Sequence, residues 1–209
     1  MNYRHPHAAI LIFTKAPVAG EVKTRLVPPL TSQQAALLHQ KLVHHTLRMA
    51  TRQPIAPVIL YCSPDLQHPF FQTCLQSYPI TLQQQHGEDL GARMLQALNI
   101  QLQAHRYVIL IGTDSPTMTQ EYLQEAFQRL KSGSDVVIGP AMDGGYVLIG
   151  MKTPYVELFT DLPWGTDAVF ALTMDKAMQA GLQVSLLDNM VDIDRPEDLP
   201  YITALHQAD

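Results

Sequence analysis

Charge is scarce in this sequence, and neither sign dominates it. Only 16% of the residues are charged, with 14 Lys and Arg against 19 Asp and Glu and a formal net charge of −5. That balance gives no electrostatic footprint for a nucleic-acid backbone or an anionic membrane, so the expected partner is a small molecule. Cysteine is nearly absent: Cys62 and Cys74 have neither CxxC nor zinc-ligand spacing, which favours buried reduced thiols and a cytoplasmic protein. Long apolar runs are also missing. The run from Ala8 to Phe13 is too short to span a bilayer and lacks the layout of a signal peptide, so it reads as a buried strand. The nine histidines form no HExxH, and neither His44-His45 nor His5-Pro6-His7 has zinc spacing with an acid nearby, so no histidine metal site is expected. A GxSxG elbow and a cysteine-based catalytic signature are both lacking, which disfavours nucleophilic hydrolysis.

What is present is alternation. No repeat, low-complexity tract or Pro/Gly-rich linker divides the chain, and residues 1–209 suffice for one domain that buries about 70% of its unfolded surface. Short Val, Ile and Leu runs at 8–14, 57–62, 79–83, 106–112, 135–140, 145–150 and 183–187 predict strands. Between them, 31–51, 66–77, 90–104, 119–132 and 166–180 predict helices, with Thr31, Thr119 and Thr166 as N-caps. The pattern is that of βα units around a mainly parallel sheet, an α/β fold. Such sheets bind ligands beyond the carboxyl ends of their strands, where the unusual polar segments of this chain fall.

After the first strand, Lys15, Lys23 and Arg25 gather with Thr24 around Pro17 and Gly20. The loop suits a diphosphate: Gly20 would let backbone N–H groups approach an anion, and Arg25 offers a planar fork of donors. A solvated basic turn is the plainer alternative, since neither GxxxxGK[ST] nor GxGxxG is present. The strand ending at Gly112 runs into Thr113-Asp114-Ser115-Pro116, where Asp114 either holds one side of a Mg²⁺ ion or caps a turn. In Asp192-Ile193-Asp194, extended backbone points both carboxylates the same way, as a second metal ligand or as plain capping before Pro196. Asp143, before Gly144 and Gly145, either faces a substrate or belongs to a hairpin. The segment 86–94, with Gly87, Leu90, Gly91 and Arg93, either admits a nucleobase or ribose or simply starts a helix. Trp164, the lone tryptophan, walls a sugar or anchors a loop.

Taken in order, FTKAPVAGEVKTRL, GEDLGARM, GTDSP, GPAMDGGYVLIG, LPWGTD and VDIDRPEDL resemble the bacterial selenodomain-associated transferase family, described as arsenosugar-biosynthesis-type glycosyltransferases. The resemblance covers about residues 8–200. It implies a single-domain GT-A (Rossmann-like) nucleotide-diphospho-sugar transferase fold, an α/β three-layer sandwich around a mainly parallel mixed sheet, that uses Mg²⁺ or Mn²⁺. Lys23 and Arg25 then match the phosphate-binding loop, Asp114 the metal-binding acid, and Asp192 or Asp194 a second metal ligand. Gly87, Leu90, Gly91 and Arg93 match the nucleotide-side loop. Gly165 and Arg195 depart from the family pattern, which carries Ser and Thr there, and these bear on the acceptor.

The expected activity is glycosyl transfer from a nucleoside-diphosphate sugar to a small-molecule acceptor, with Asp143 as base and Arg25 and Lys23 on the departing diphosphate. The alternative is nucleotidyl transfer to a phosphorylated acceptor with release of pyrophosphate. A sensor that binds nucleotide sugars without catalysis is a third, disfavoured by the retained acids and cations.

Overall fold

The computed structural model describes residues 2–206; Met1 and residues 207–209 lie outside the described residues. Seven strands form one sheet: β1 (Ala8–Lys15), β2 (Val58–Ser63), β3 (Ile80–Gln84), β4 (Tyr107–Ile111), β5 (Val136–Pro140), β6 (Tyr146–Met151) and β7 (Val184–Leu186). Among the described residues five α-helices accompany them: α1 (Ser32–Thr51), α2 (Pro69–Ser77), α3 (Leu90–Leu102), α4 (Gln120–Lys131) and α5 (Val169–Gln179). The sheet order is β3-β2-β1-β4-β6-β5-β7.

Residues of β1 alternate between two cores, as a strand buried on both faces requires. Ala8, Ile10 and Ile12 pack into one with Val43 and Leu47 of α1, Phe71 of α2 and Phe127 of α4. Ala9, Leu11 and Phe13 pack into the other with Met94 and Leu98 of α3 and Ala177 of α5. Helices on both faces of a mixed sheet make the expected three layers. Cys62 and Cys74 are free and buried in the first core, and burial pushes their thiols up to about 12 and about 11.

Local chemistry sets the helix starts. Thr31 and Gln34 form a reciprocal capping box on α1, and the Thr119 side chain accepts from Tyr122 N on α4. Helix α2 begins at Pro69 rather than residue 66, because proline suits the first helical position, where no N–H is needed. Thr166 is not the N-cap of α5, which starts at Val169 after Ala168. Its hydroxyl instead donates to Pro163 O at 2.8 Å, a bond that tightens the turn carrying Trp164.

One strand decides where the chemistry gathers. β6 runs antiparallel to both β4 and β5, whereas β1, β2, β3 and β4 are mutually parallel and β7 is parallel to β5. The start of β6 therefore lies at the same edge as the carboxyl ends of β1, β4, β5 and β7. The loops bearing Lys23, Asp114, Asp143 and Asp192 all leave from that edge. No helix among the described residues is long and apolar enough to cross a membrane.

Candidate active site

A cleft of about 610 Å³ opens at this edge, within the size range of small-molecule sites. Lys15, Lys23, Arg25, Asp114, Asp192 and Asp194 all line it. After β1 the chain makes a 3-10 turn at Thr24–Leu26, whose Leu26 is fully buried with Leu38, Leu42 and Ile193. Burial of that leucine pulls the turn down onto α1 and the C-terminal segment. Lys23, at the head of the turn, takes a left-handed conformation with φ 51°, and its ammonium lies 2.8 Å from Asp114 Oδ1 while also donating to Ile193 O. Arg25 forms an ion pair with Asp194 Oδ2 and donates to Gly165 O at 3.2 Å.

Three contacts tie residues 191–193 to Asp114 and Ser115, just after β4. Ile193 N donates to Asp114 O at 2.9 Å, and the Ser115 hydroxyl lies within hydrogen-bond reach of Val191 O at 3.0 Å and of Asp192 Oδ1. Asp192 is thereby set beside Asp114, while Asp194 turns to Arg25. Burial and the neighbouring Asp114 charge push the Asp192 carboxyl up to about 7, against the Ser115 hydrogen bond and the Lys23 ammonium. Burial also works against charge on Asp114, but Lys23, with His39 and Thr113, outweighs it and holds that carboxyl below its usual range. Asp114 therefore keeps its charge beside Lys23, while Asp192 holds its proton up to about neutral pH.

That donor set fits a hard divalent cation. Mg²⁺ takes few protein ligands and fills its shell with water and substrate phosphates, so two carboxylates on one wall suffice. Among the described residues no group of three or more His, Cys, Asp or Glu is arranged to hold a metal.

The other predicted residues divide. Leu90 and Arg93 line the cleft, as do the apolar side chains of Phe13, Met94 and Leu110. Gly87 and Gly91 do not line it. Gly87 O accepts from Arg93 Nε at 3.0 Å, and Gly91 lies under Trp164, where a Cβ would come within 2.3 Å of Phe159 O and 2.4 Å of Trp164 Nε1. The segment's start is set by Asp89, whose carboxylate accepts from Ala92 N at 2.7 Å as the N-cap of α3. Trp164 stacks edge-on to Tyr146 at 6.3 Å, and so anchors its loop. Gly20, at φ 88°, shapes the exposed turn before Lys23 and Arg25 and is not part of the cleft wall. Asp143 is exposed, outside that wall, and accepts from Gly145 N at 2.9 Å. Its charge nonetheless contributes to raising Asp192.

Two cleft residues escaped the sequence reading. His39 presents Nε2 to Lys15 O at 3.0 Å and Thr14 Oγ1 at 3.3 Å, and burial foremost lowers its pKa. A polar residue on the buried face of α1 was its only signal. The Gln85 amide bonds Thr14 O and Tyr61 O, tying together the ends of β1 and β2, and nothing in its local sequence marks it.

The family model for an uncharacterised protein conserved in bacteria (DUF2064) matches residues 46–166, more than half of the chain. The chain belongs to this DUF2064 family. A crystal structure of a candidate nucleotide-diphospho-sugar transferase from Desulfovibrio desulfuricans G20 is similar over 95% of this chain and 87% of that one, with 32% identity and a TM-score of 0.85. That likeness puts the DUF2064 chain in the nucleotide-diphospho-sugar transferase superfamily. More distant structures share the fold alone. One is the inositol-1-phosphate CTP transferase of T. maritima, at 14% identity, TM-score 0.63, and 99% and 97% coverage. Another is glucosyl-3-phosphoglycerate synthase of Mycobacterium tuberculosis in complex with Mn²⁺ and uridine diphosphate, at 11% identity, TM-score 0.53, and 95% and 76% coverage. No curated protein matches the sequence.

Proposed function

We propose that this chain is a metal-dependent transferase that takes a nucleoside-diphosphate sugar as donor and passes the sugar to a small-molecule acceptor. The observation that carries this reading is the meeting of Lys15, Lys23 and Arg25 with Asp114 and Asp192 in one cleft. A Mg²⁺ or Mn²⁺ ion held by Asp114 and Asp192 would supply charge neutralisation for the departing diphosphate. Arg25 binds phosphate oxygens with its planar fork, exchanging Asp194 for the donor, and Lys15 adds a second cation. The nucleoside lies towards Leu90, Arg93 and Met94. Asp143 serves as the acceptor's base from the rim.

Nucleotidyl transfer is the second reading, favoured by the exposure of Asp143 and its engagement with Gly145 N. A phosphate acceptor is already anionic and needs no base. Membership of the arsenosugar-type subfamily is supported only by the motifs named above. A single functional unit is supported by the one continuous sheet, and a cytoplasmic setting by the two unpaired thiols.

Thermal shifts with panels of nucleotide sugars and nucleoside triphosphates, each with Mg²⁺ or Mn²⁺, test the reading. A metal-dependent shift by nucleoside-diphosphate sugars is expected. Stabilisation by triphosphates alone, with pyrophosphate released on adding a phosphorylated acceptor, would move the assignment to nucleotidyl transfer.

A further inference from the structure

We propose that Lys23 is a resident cation on Asp114 that excludes a free divalent ion, so that metal enters the site only together with a nucleotide's phosphates. The inference rests on the metal and donor reading given above. Its basis is that the position beside Asp114 is already held by a positive charge. Lys23 Nζ is 2.8 Å from Asp114 Oδ1, and the lysine side chain is almost wholly buried. The ammonium is fixed from behind by Ile193 O, and Ile193 N in turn donates to Asp114 O. Leu26 N bonds Lys23 O at 3.0 Å, and Val22 and Leu26 are buried on either side, so the left-handed backbone at Lys23 is held in place.

Charge balance across the whole cleft points the same way. Lys15, Lys23, Arg25 and Arg93 face four carboxylates there, so a free cation meets little net attraction. A divalent ion on the open side of Asp114 would also sit within a few ångströms of the ammonium across one carboxylate. Arriving phosphates change this. They bring the negative charge that satisfies ion and ammonium together, and Lys23 can pass from Asp114 to a phosphate oxygen as the ion takes the carboxylate. Metal and nucleotide affinities are then linked, each raising the other.

Mn²⁺ binding followed by electron paramagnetic resonance, without nucleotide, tests this on the wild type, Lys23→Gln and Lys23→Met. Glutamine keeps a donor for Ile193 O and removes the charge. The wild type should bind Mn²⁺ alone no tighter than about 1 mM, and both variants at least about tenfold tighter, a gain of roughly 1.4 kcal/mol. Adding Asp114→Asn to Lys23→Gln should remove that gain. Micromolar binding of Mn²⁺ by the wild type alone would overturn the proposal and needs no variant. Folded Lys23 variants that bind Mn²⁺ no better than the wild type would overturn it too. If the Lys23 variants gain Mn²⁺ affinity but no nucleoside diphosphate binds under any condition, the donor reading fails while the exclusion by Lys23 stands.

Discussion

Lys23 Nζ and Asp114 Oδ1 lie 2.8 Å apart, yet the lysine side chain is 3% exposed and the aspartate 40%. The pair joins a buried cation to a carboxylate that still reaches the cleft. Its two members therefore respond differently to removal: loss of Asp114 strands a buried charge, whereas loss of Lys23 leaves an acid that water or metal can satisfy.

Asp114→Ala is expected to abolish the enhancement of nucleotide binding by Mg²⁺ or Mn²⁺. It should also cost about 1–3 kcal/mol of stability, less than for a fully buried pair because Asp114 is partly solvated. Calorimetry in the presence and absence of metal, with urea unfolding alongside, checks both. An unchanged metal response in the folded variant would remove Asp114 from the site.

Arg25→Ala should lose about 1.5–3 kcal/mol of donor affinity, and Arg25→Lys should recover only part, because lysine cannot present two parallel donors. Calorimetric titration with a nucleoside diphosphate decides it. Normal affinity in Arg25→Ala would contradict the phosphate role.

The raised Asp192 carboxyl predicts a particular pH dependence. Its folded pKa of about 7 lies above the ordinary 3.8, so between those values the native state holds the extra proton and loses stability as pH rises. Asp192→Asn cannot titrate. Without metal, its stability relative to the wild type should improve by on the order of a few kcal/mol from pH 4 to pH 7. Parallel stability profiles for the two proteins would refute this.

Gly91→Ala should be destabilising by about 1–3 kcal/mol, since its Cβ would meet Phe159 O at 2.3 Å and Trp164 Nε1 at 2.4 Å. Thermal unfolding measures it. Little change would mean that the Trp164 loop yields easily.

Asp143→Asn separates the two chemistries. For inverting sugar transfer with Asp143 as base, turnover should fall at least about a hundredfold with donor affinity kept. Nucleotidyl transfer should stay within about tenfold. Product stereochemistry and pyrophosphate release are read in the same assay.

Most of the fold was legible in the sequence because each strand and helix is specified by its own run of side chains. Ala8–Lys15 is buried on both faces and reads as a continuous apolar segment, and Thr31 and Thr119 signal their helices within four residues. Thr166 misled because a hydroxyl near a proline can satisfy the turn instead of the helix. The acids and cations were legible one at a time, each at a strand end. Their partners were not. That Lys23 meets Asp114, that Ser115 draws Asp192 rather than Asp194 to it, and that His39 and Gln85 line the cleft are contacts between residues distant in sequence. Gly91, which reads as space for a nucleotide, is space for Trp164. Residue types and local periodicity follow from the chain alone. Which charges neutralise one another depends on the order of strands and the direction of β6, and only the packed sheet decides those.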